Sequence, residues 1–376
     1  MSYKADVYEE PVWITDRQFQ DYVTVDQKDA FDYLSVYFNV KDDNHPPVHF
    51  MLLHTMSSVF RGTLSPWLGC SINLVCLGIT LWLLLRLGRQ LADVFSLEGK
   101  GRQLGILAVL LYGMSTGALG TVLLIRMYGL LSCLCVALFS VHVEKWKNNG
   151  FDKKNKGLIA ITVLGFLTQY FFLFYCLLLA AVTAVILLYR HRNKELWCYI
   201  RSMVIAAVIG LVLFPFAISD VFSSGRGTEA LGNLASGFAG YGQRLAAFGR
   251  ILADRTVGAP LLTGGCAAGA ILLLGKLYLS FRAGKQEQKG ENSGRDAAWM
   301  LMVPVAGYFS AGIPHVTVSG GPLYYALFPF VALLLALLLC LLGKKSDRDL
   351  RMERTDRGRH AGAVARGGTG AAACGL

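Results

Sequence analysis

The sequence predicts an all-α polytopic membrane protein, and three observations carry that prediction. Of its 376 residues 54% are hydrophobic and only 16% charged, with a mean hydropathy of +0.46; a soluble domain carries about a quarter charged residues. The apolar residues come in runs of about 20, the length a helix needs to cross the hydrocarbon core. The cations are also sorted along the chain. Of the 36 Lys and Arg, 25 fall in segments 86–103, 144–156, 190–201, 282–296 and 344–376. Only 9 fall in 1–64 and 220–259, which hold 13 of the 25 Asp and Glu. By the positive-inside rule, 1–64 and 220–259 are then outside and the tail is cytoplasmic. The basic excess is a topology signal, and nucleic acid is not expected as a partner.

Taken in order, residues 1–45 are polar and aromatic and carry neither a basic leader nor an apolar core of signal-peptide type. An outside N-terminus of this length has to be carried across, so a transmembrane helix upstream of Met1 is expected. Residues 46–60 predict a short interfacial helix. Pro46 and Pro47 suit a first helical turn, and the stretch is too short to span. Spans are expected near 65–87, 104–122, 125–143, 157–170, 171–190, 201–219, 260–282, 297–316 and 323–343. The pair covering 157–190 is long for one span and short for two. Within 104–143, Gly117, Gly120 and Arg126 mark the turn.

Between 220 and 259, Leu231, Leu234, Phe238, Tyr241, Leu245, Phe248 and Leu252 recur at steps of three and four, one stripe of a helix. Arg244 and Arg250 flank it. Such a helix either rests on lipid phosphates or packs on the spans. Residues 283–296 read as a hydrophilic inner linker, and 344–376 as a basic, low-complexity tail without core-forming periodicity. Three parts result: an outer-face segment 1–64, a transmembrane domain 65–343 of about nine spans, and the tail 344–376. The nine cysteines lie almost all in or beside apolar spans. They suggest neither a disulfide framework nor a zinc site.

The chemistry is concentrated where Asp42-Asp43-Asn44-His45-Pro46-Pro47 runs into Val48-His49-Phe50-Met51-Leu52-Leu53-His54. Acids and imidazoles at a bilayer boundary are costly unless something uses them. Asp43 is the leading catalytic candidate; placed there it acts on a lipid head group or binds a divalent metal, or else it caps the following helix. His45 is a candidate for contact with that head group. Asp43, His45 and His49 form a weak candidate metal set, since the two histidines are four apart. Arg126 is a cation within an apolar run, which marks an anionic ligand or a side chain that reaches the interface. Tyr128, Gln169 and Tyr170 are candidates for the same cavity, against core packing or an aromatic belt. Arg244 is a candidate for binding a lipid phosphate.

Three stretches resemble the polyprenyl-phosphate-dependent glycosyltransferases of GT-C fold, in particular the bacterial relatives of protein O-mannosyltransferases and of the lipid A aminoarabinose transferase. Asp43-Asn44-His45-Pro46-Pro47 is similar to that family's Asp-x-His-Pro-Pro ahead of an interfacial helix. Arg126-Met127-Tyr128-Gly129-Leu130 is similar to its Arg-Met-Tyr-Ala-Leu, and Thr168-Gln169-Tyr170-Phe171 to its Thr-His-Tyr-Phe. The resemblance covers about residues 10–343. It implies a multi-pass plasma-membrane enzyme that moves a sugar from a polyprenyl-phosphate donor to a lipid, glycan or protein acceptor on the outer face.

The chain departs from the family at several places. The family's Asp-Glu pair after a first helix has no clear match, Leu124 stands where an acid is common, and Gln169 replaces a histidine. Gly321-Pro322-Leu323-Tyr324-Tyr325 stands where the family often has Arg-Tyr. Two further readings follow: a transporter or flippase of a lipid-linked saccharide, and a catalytically inactive, truncated relative.

Overall fold

A computed structural model describes residues 13–41, 45–219, 241–256, 289–315 and 321–343. The expected span at 260–282, the tail 344–376 and all of 220–240 lie outside these. Every regular element among the described residues is helical. In chain order they are α1 (Asp16–Val23), α2 (Tyr33–Asn39), α3 (Val48–Val59), α4 (Trp67–Val94), α5 (Gly101–Gly113), α6 (Thr116–Leu123), α7 (Tyr128–Lys147), α8 (Lys156–Phe166), α9 (Phe171–Tyr189), α10 (Asn193–Leu213), α11 (Tyr241–Thr256) and α12 (Lys289–His315). A 3-10 turn, Gly321–Leu327, leads into the last long helix, α13 (Tyr324–Gly343).

Helices α4, α7, α9, α10 and α13 are each long and apolar enough to cross a membrane. Helices α5 and α6 together make a sixth candidate span, bent by 60°. The bend has a local cause. Ser115 is the N-cap of α6, and its Oγ accepts the Ala118 N–H at 3.0 Å, so the ladder restarts there. Helix α12 has 27 residues, about 40 Å at 1.5 Å per residue, and encloses most of the expected 297–316 span. The expected span at 157–170 is corrected: α8 has 11 residues, too short to cross alone.

Helix α7 is the central one, packed against α4, α8, α9 and the 3-10 turn. Its Leu131, Cys135, Val136, Leu138, Phe139 and Val143 are buried. Phe139 meets Phe330 at 5.9 Å, and Tyr175 meets Phe330 at 5.2 Å, joining α7, α9 and α13. Helices α4 and α5 cross closely because both carry glycine at the crossing. A Cβ on Gly88 would lie 2.3 Å from the Gly105 nitrogen, and small residues permit such an approach.

The outward faces are apolar. Leu74, Val75, Ile79 and Trp82 of α4, Leu177 and Val185 of α9, and Val204, Val208 and Val212 of α10 are all exposed. A solvated monomer does not present so much contiguous apolar surface; lipid covers it.

Charged pairs gather at one end of the bundle. Arg86 pairs with Glu144, Lys147 with Asp93, Lys194 with Asp152 and Arg192 with Glu195, and Arg192 lies over the Trp146 ring at 4.6 Å. Arg190 grips Asp296 through Nε at 2.9 Å and a terminal nitrogen at 3.0 Å, fastening α9 to α12. The start of α7 and all of α3 lie at the other end, where the candidate site is found.

Candidate functional site

Helix α3 begins without a side-chain cap. Pro47 occupies its N-cap position, and among the described residues no side chain caps the helix. The missing cap is replaced from elsewhere in the fold. The Val48 N–H, an orphan donor of the first turn, donates to the Leu167 carbonyl at 3.1 Å. This bond ties the Pro-Pro segment to the turn between α8 and α9, which carries Thr168, Gln169 and Tyr170. Gln169 is buried, and its Oε1 accepts the Tyr170 N–H at 3.0 Å. Thr168 Oγ1 donates to the Leu164 carbonyl at 2.7 Å.

The Arg126 turn, between α6 and α7, is held from the other side. Arg126 N–H donates to the Leu124 carbonyl at 2.7 Å, a tight three-residue turn. Asn73 of α4 is fully buried and donates Nδ2 to that same carbonyl at 2.7 Å and to the Val122 carbonyl at 3.4 Å. Gly129 is required beside it, since a Cβ there would lie 2.6 Å from Asn73 Oδ1. Ser132 Oγ donates to the Tyr325 carbonyl at 2.9 Å, which anchors the first turn of α7 on the 3-10 segment.

Between these two supports lies a cavity of about 470 Å³, lined by His45, His49, Phe50, Leu53, Ile125, Arg126 and Met127. Arg126 is exposed and His45 buried. His49 is only 2% exposed, and neither ring nitrogen has a hydrogen-bond partner among the described residues. Burial lowers the His49 pKa to about 4, with the neighbouring His45 and Arg126 acting in the same direction; its ring is neutral at pH 7. The arrangement is an exposed cation, two imidazoles and an apolar wall, which suits an anionic head group joined to an apolar chain.

Of the residues singled out in the sequence, His45, His49 and Arg126 thus meet in one cavity. Tyr128 stands one turn further on, half-buried, its ring 6.1 Å from that of Tyr325. Gln169 and Tyr170 sit on the adjoining turn, Tyr170 against Phe166 at 6.1 Å, and neither is among the residues lining the cavity. Arg244 belongs to α11, but its side chain lies outside the described residues. That helix packs Phe248 against Tyr324 at 4.6 Å and receives hydrogen bonds from Thr116 Oγ1 on the Asp254 and Arg255 carbonyls. Of the expected stripe, Phe248 is buried and Leu245 exposed. Asp43, with Asp42 and Asn44, lies outside the described residues.

Among the described residues no group of three or more His, Cys, Asp and Glu could hold a metal ion. His45 and His49 alone are two ligands, and the third member of the expected set is Asp43. Sequence reasoning missed Asn73 and the apolar wall of Phe50, Leu53, Ile125 and Met127. A lone Asn in the apolar run 65–87 was the available signal for the first. His54, on the same helix, is buried against the edge of Tyr33 at 5.9 Å and belongs to the packing of α2 on α3.

No family model, curated protein or solved structure matches the chain.

Proposed function

We propose that the protein transfers a sugar from a polyprenyl-phosphate donor to an acceptor at the outer face of the plasma membrane, as a glycosyltransferase of GT-C type. The observation that carries this reading is convergence. The His45-Pro46-Pro47 segment, the Arg126 turn and the 167–170 turn are remote in sequence and come together at the bundle end opposite the charged pairs, where His45, His49 and Arg126 line one cavity.

In the proposed reaction the lipid phosphate rests on Arg126, whose guanidinium forms paired hydrogen bonds to phosphate oxygens, with His45 beside it. An acceptor hydroxyl attacks the anomeric carbon, and the bond from that carbon to the phosphate oxygen breaks. The lipid phosphate leaves with the bonding electrons, and an outer-face carboxylate takes the hydroxyl proton. Asp43 orients the acceptor. Arg126 steadies the charge that develops on the leaving phosphate, the step at which a positioned cation counts most.

Asp43→Asn and Arg126→Ala in lipid nanodiscs are each expected to lower transfer about 100-fold, the range seen when one charge-stabilising group is lost. Full transfer by the Asp43→Asn protein would count heavily against the reading. Transport of the intact lipid-linked sugar is the second reading. The 60° break between α5 and α6 favours it, because transporters use interrupted helices.

A further inference from the structure

The cavity contains a group that phosphate recognition does not need. His49 is buried, it lines the same cavity as Arg126, and its two nitrogens have no partner among the described residues. A buried polar group left unmade is expensive, so an imidazole kept in such a place fits a ligand that completes it. A neutral imidazole offers one N–H donor and one lone-pair acceptor. Phosphate oxygens without protons offer acceptors only and would leave the lone pair unmet. A hydroxyl both donates and accepts, and so satisfies either nitrogen.

The surroundings agree with a polyol rather than with a second anionic group. Burial first, and then the neighbouring His45 and Arg126, keep the His49 ring uncharged, so the Arg126 cation at the exposed side and the neutral donor–acceptor at the buried side are chemically distinct subsites.

We infer that His49 reads a hydroxyl of the sugar carried on the lipid phosphate held by Arg126, which makes it a specificity-determining residue. This inference rests on the donor-lipid reading given above. The ligand class is a polyprenyl phosphate esterified to a hydroxylated sugar, as opposed to the bare lipid phosphate. A site built around a substrate hydroxyl discriminates strongly against an analogue that lacks it, because the protein group is then left unpaired.

The test is the affinity of the full chain in nanodiscs for undecaprenyl phosphate alone and for the same lipid carrying a hexose or an aminopentose. The wild type is expected to bind at least one sugar-bearing lipid about ten-fold more tightly than the bare lipid, the range set by one unpaired buried group. His49→Phe should bring that ratio to within about two-fold, and His49→Gln, which keeps a donor and an acceptor, should retain most of it. Should the Phe variant fail to fold, O-methylation of the sugar supplies the same comparison on the wild type, with affinity falling to that of the bare lipid. A ratio that persists in His49→Phe, or after O-methylation, overturns the inference. Equal binding of all the lipids by the wild type also overturns it while leaving the donor reading in place. Binding of none of them removes both.

Discussion

His49 ties the chemistry of the cavity to the stability of this end of the molecule. With its pKa lowered from 6.5 to about 4 by burial and by the nearby His45 and Arg126, it takes up its proton more readily unfolded than folded. Stability is therefore complete above pH 6.5 and is lost as pH falls through 4, on the order of 3 kcal/mol in all by linkage. Unfolding of the detergent-solubilised protein between pH 7 and 4 should show this loss, and His49→Phe should flatten it; an unchanged slope in the variant would remove the assignment. At this scale the sequence was informative wherever a charge interrupted an apolar setting. Arg126 and His45 stood out for that reason. His49 drew attention only as half of a weak metal pair, because its burial depends on a turn 77 residues away closing over it.

Among the elements, the 124–127 turn decides where Arg126 points, and Asn73 decides where the turn sits. The Leu124 carbonyl of the turn and the Val122 carbonyl at the end of α6 are both held by one buried amide on α4. Asn73→Leu removes both hydrogen bonds and presses on Gly129, so a loss of about 1–3 kcal/mol in stability is expected, together with weakened binding of lipid phosphate. Asn73→Leu that binds the lipid as the wild type does would show that the turn is positioned by other contacts.

Periodicity located most helices but not their ends. The apolar run of α4 stops near 87, yet the helix continues to Val94, because Arg86, Arg89 and Gln90 are good helix formers. The turn expected between the spans 104–122 and 125–143 falls at Arg126, whereas the bend at Ser115 lies inside the first of them and is set by a serine cap that the apolar pattern does not mark. The short α8 was hidden inside an apolar stretch that hydropathy alone cannot divide. Asn73 itself acts through backbone carbonyls, which carry no mark in the side-chain pattern.

Across the whole molecule, charge and hydropathy separate two ends. The paired charges lie at one end, and the cavity lies at the other. By the positive-inside rule we propose that the charged end is the cytoplasmic one. Single cysteines placed at Arg61 and at Lys194 of a cysteine-free variant test this with a membrane-impermeant maleimide on intact cells: label at 61 and none at 194 is expected, and the reverse would invert the proposed sidedness. The all-α polytopic architecture was legible from composition and run length because a bilayer imposes both. The meeting of 45–50 with 124–127 and 167 was not, since it depends on one long-range hydrogen bond and on the packing of helices around α7.

The central claim is sugar transfer from a lipid phosphate at that cavity. The fate of a polyprenyl-phosphate donor labelled in both sugar and lipid, given to the purified protein in proteoliposomes with candidate acceptors, tests it most directly. The account predicts acceptor-dependent release of free polyprenyl phosphate with the sugar label moved to the acceptor, and loss of both in Arg126→Ala. Donor that crosses the bilayer with its sugar still attached, or that is bound and left unchanged with every acceptor, would contradict it.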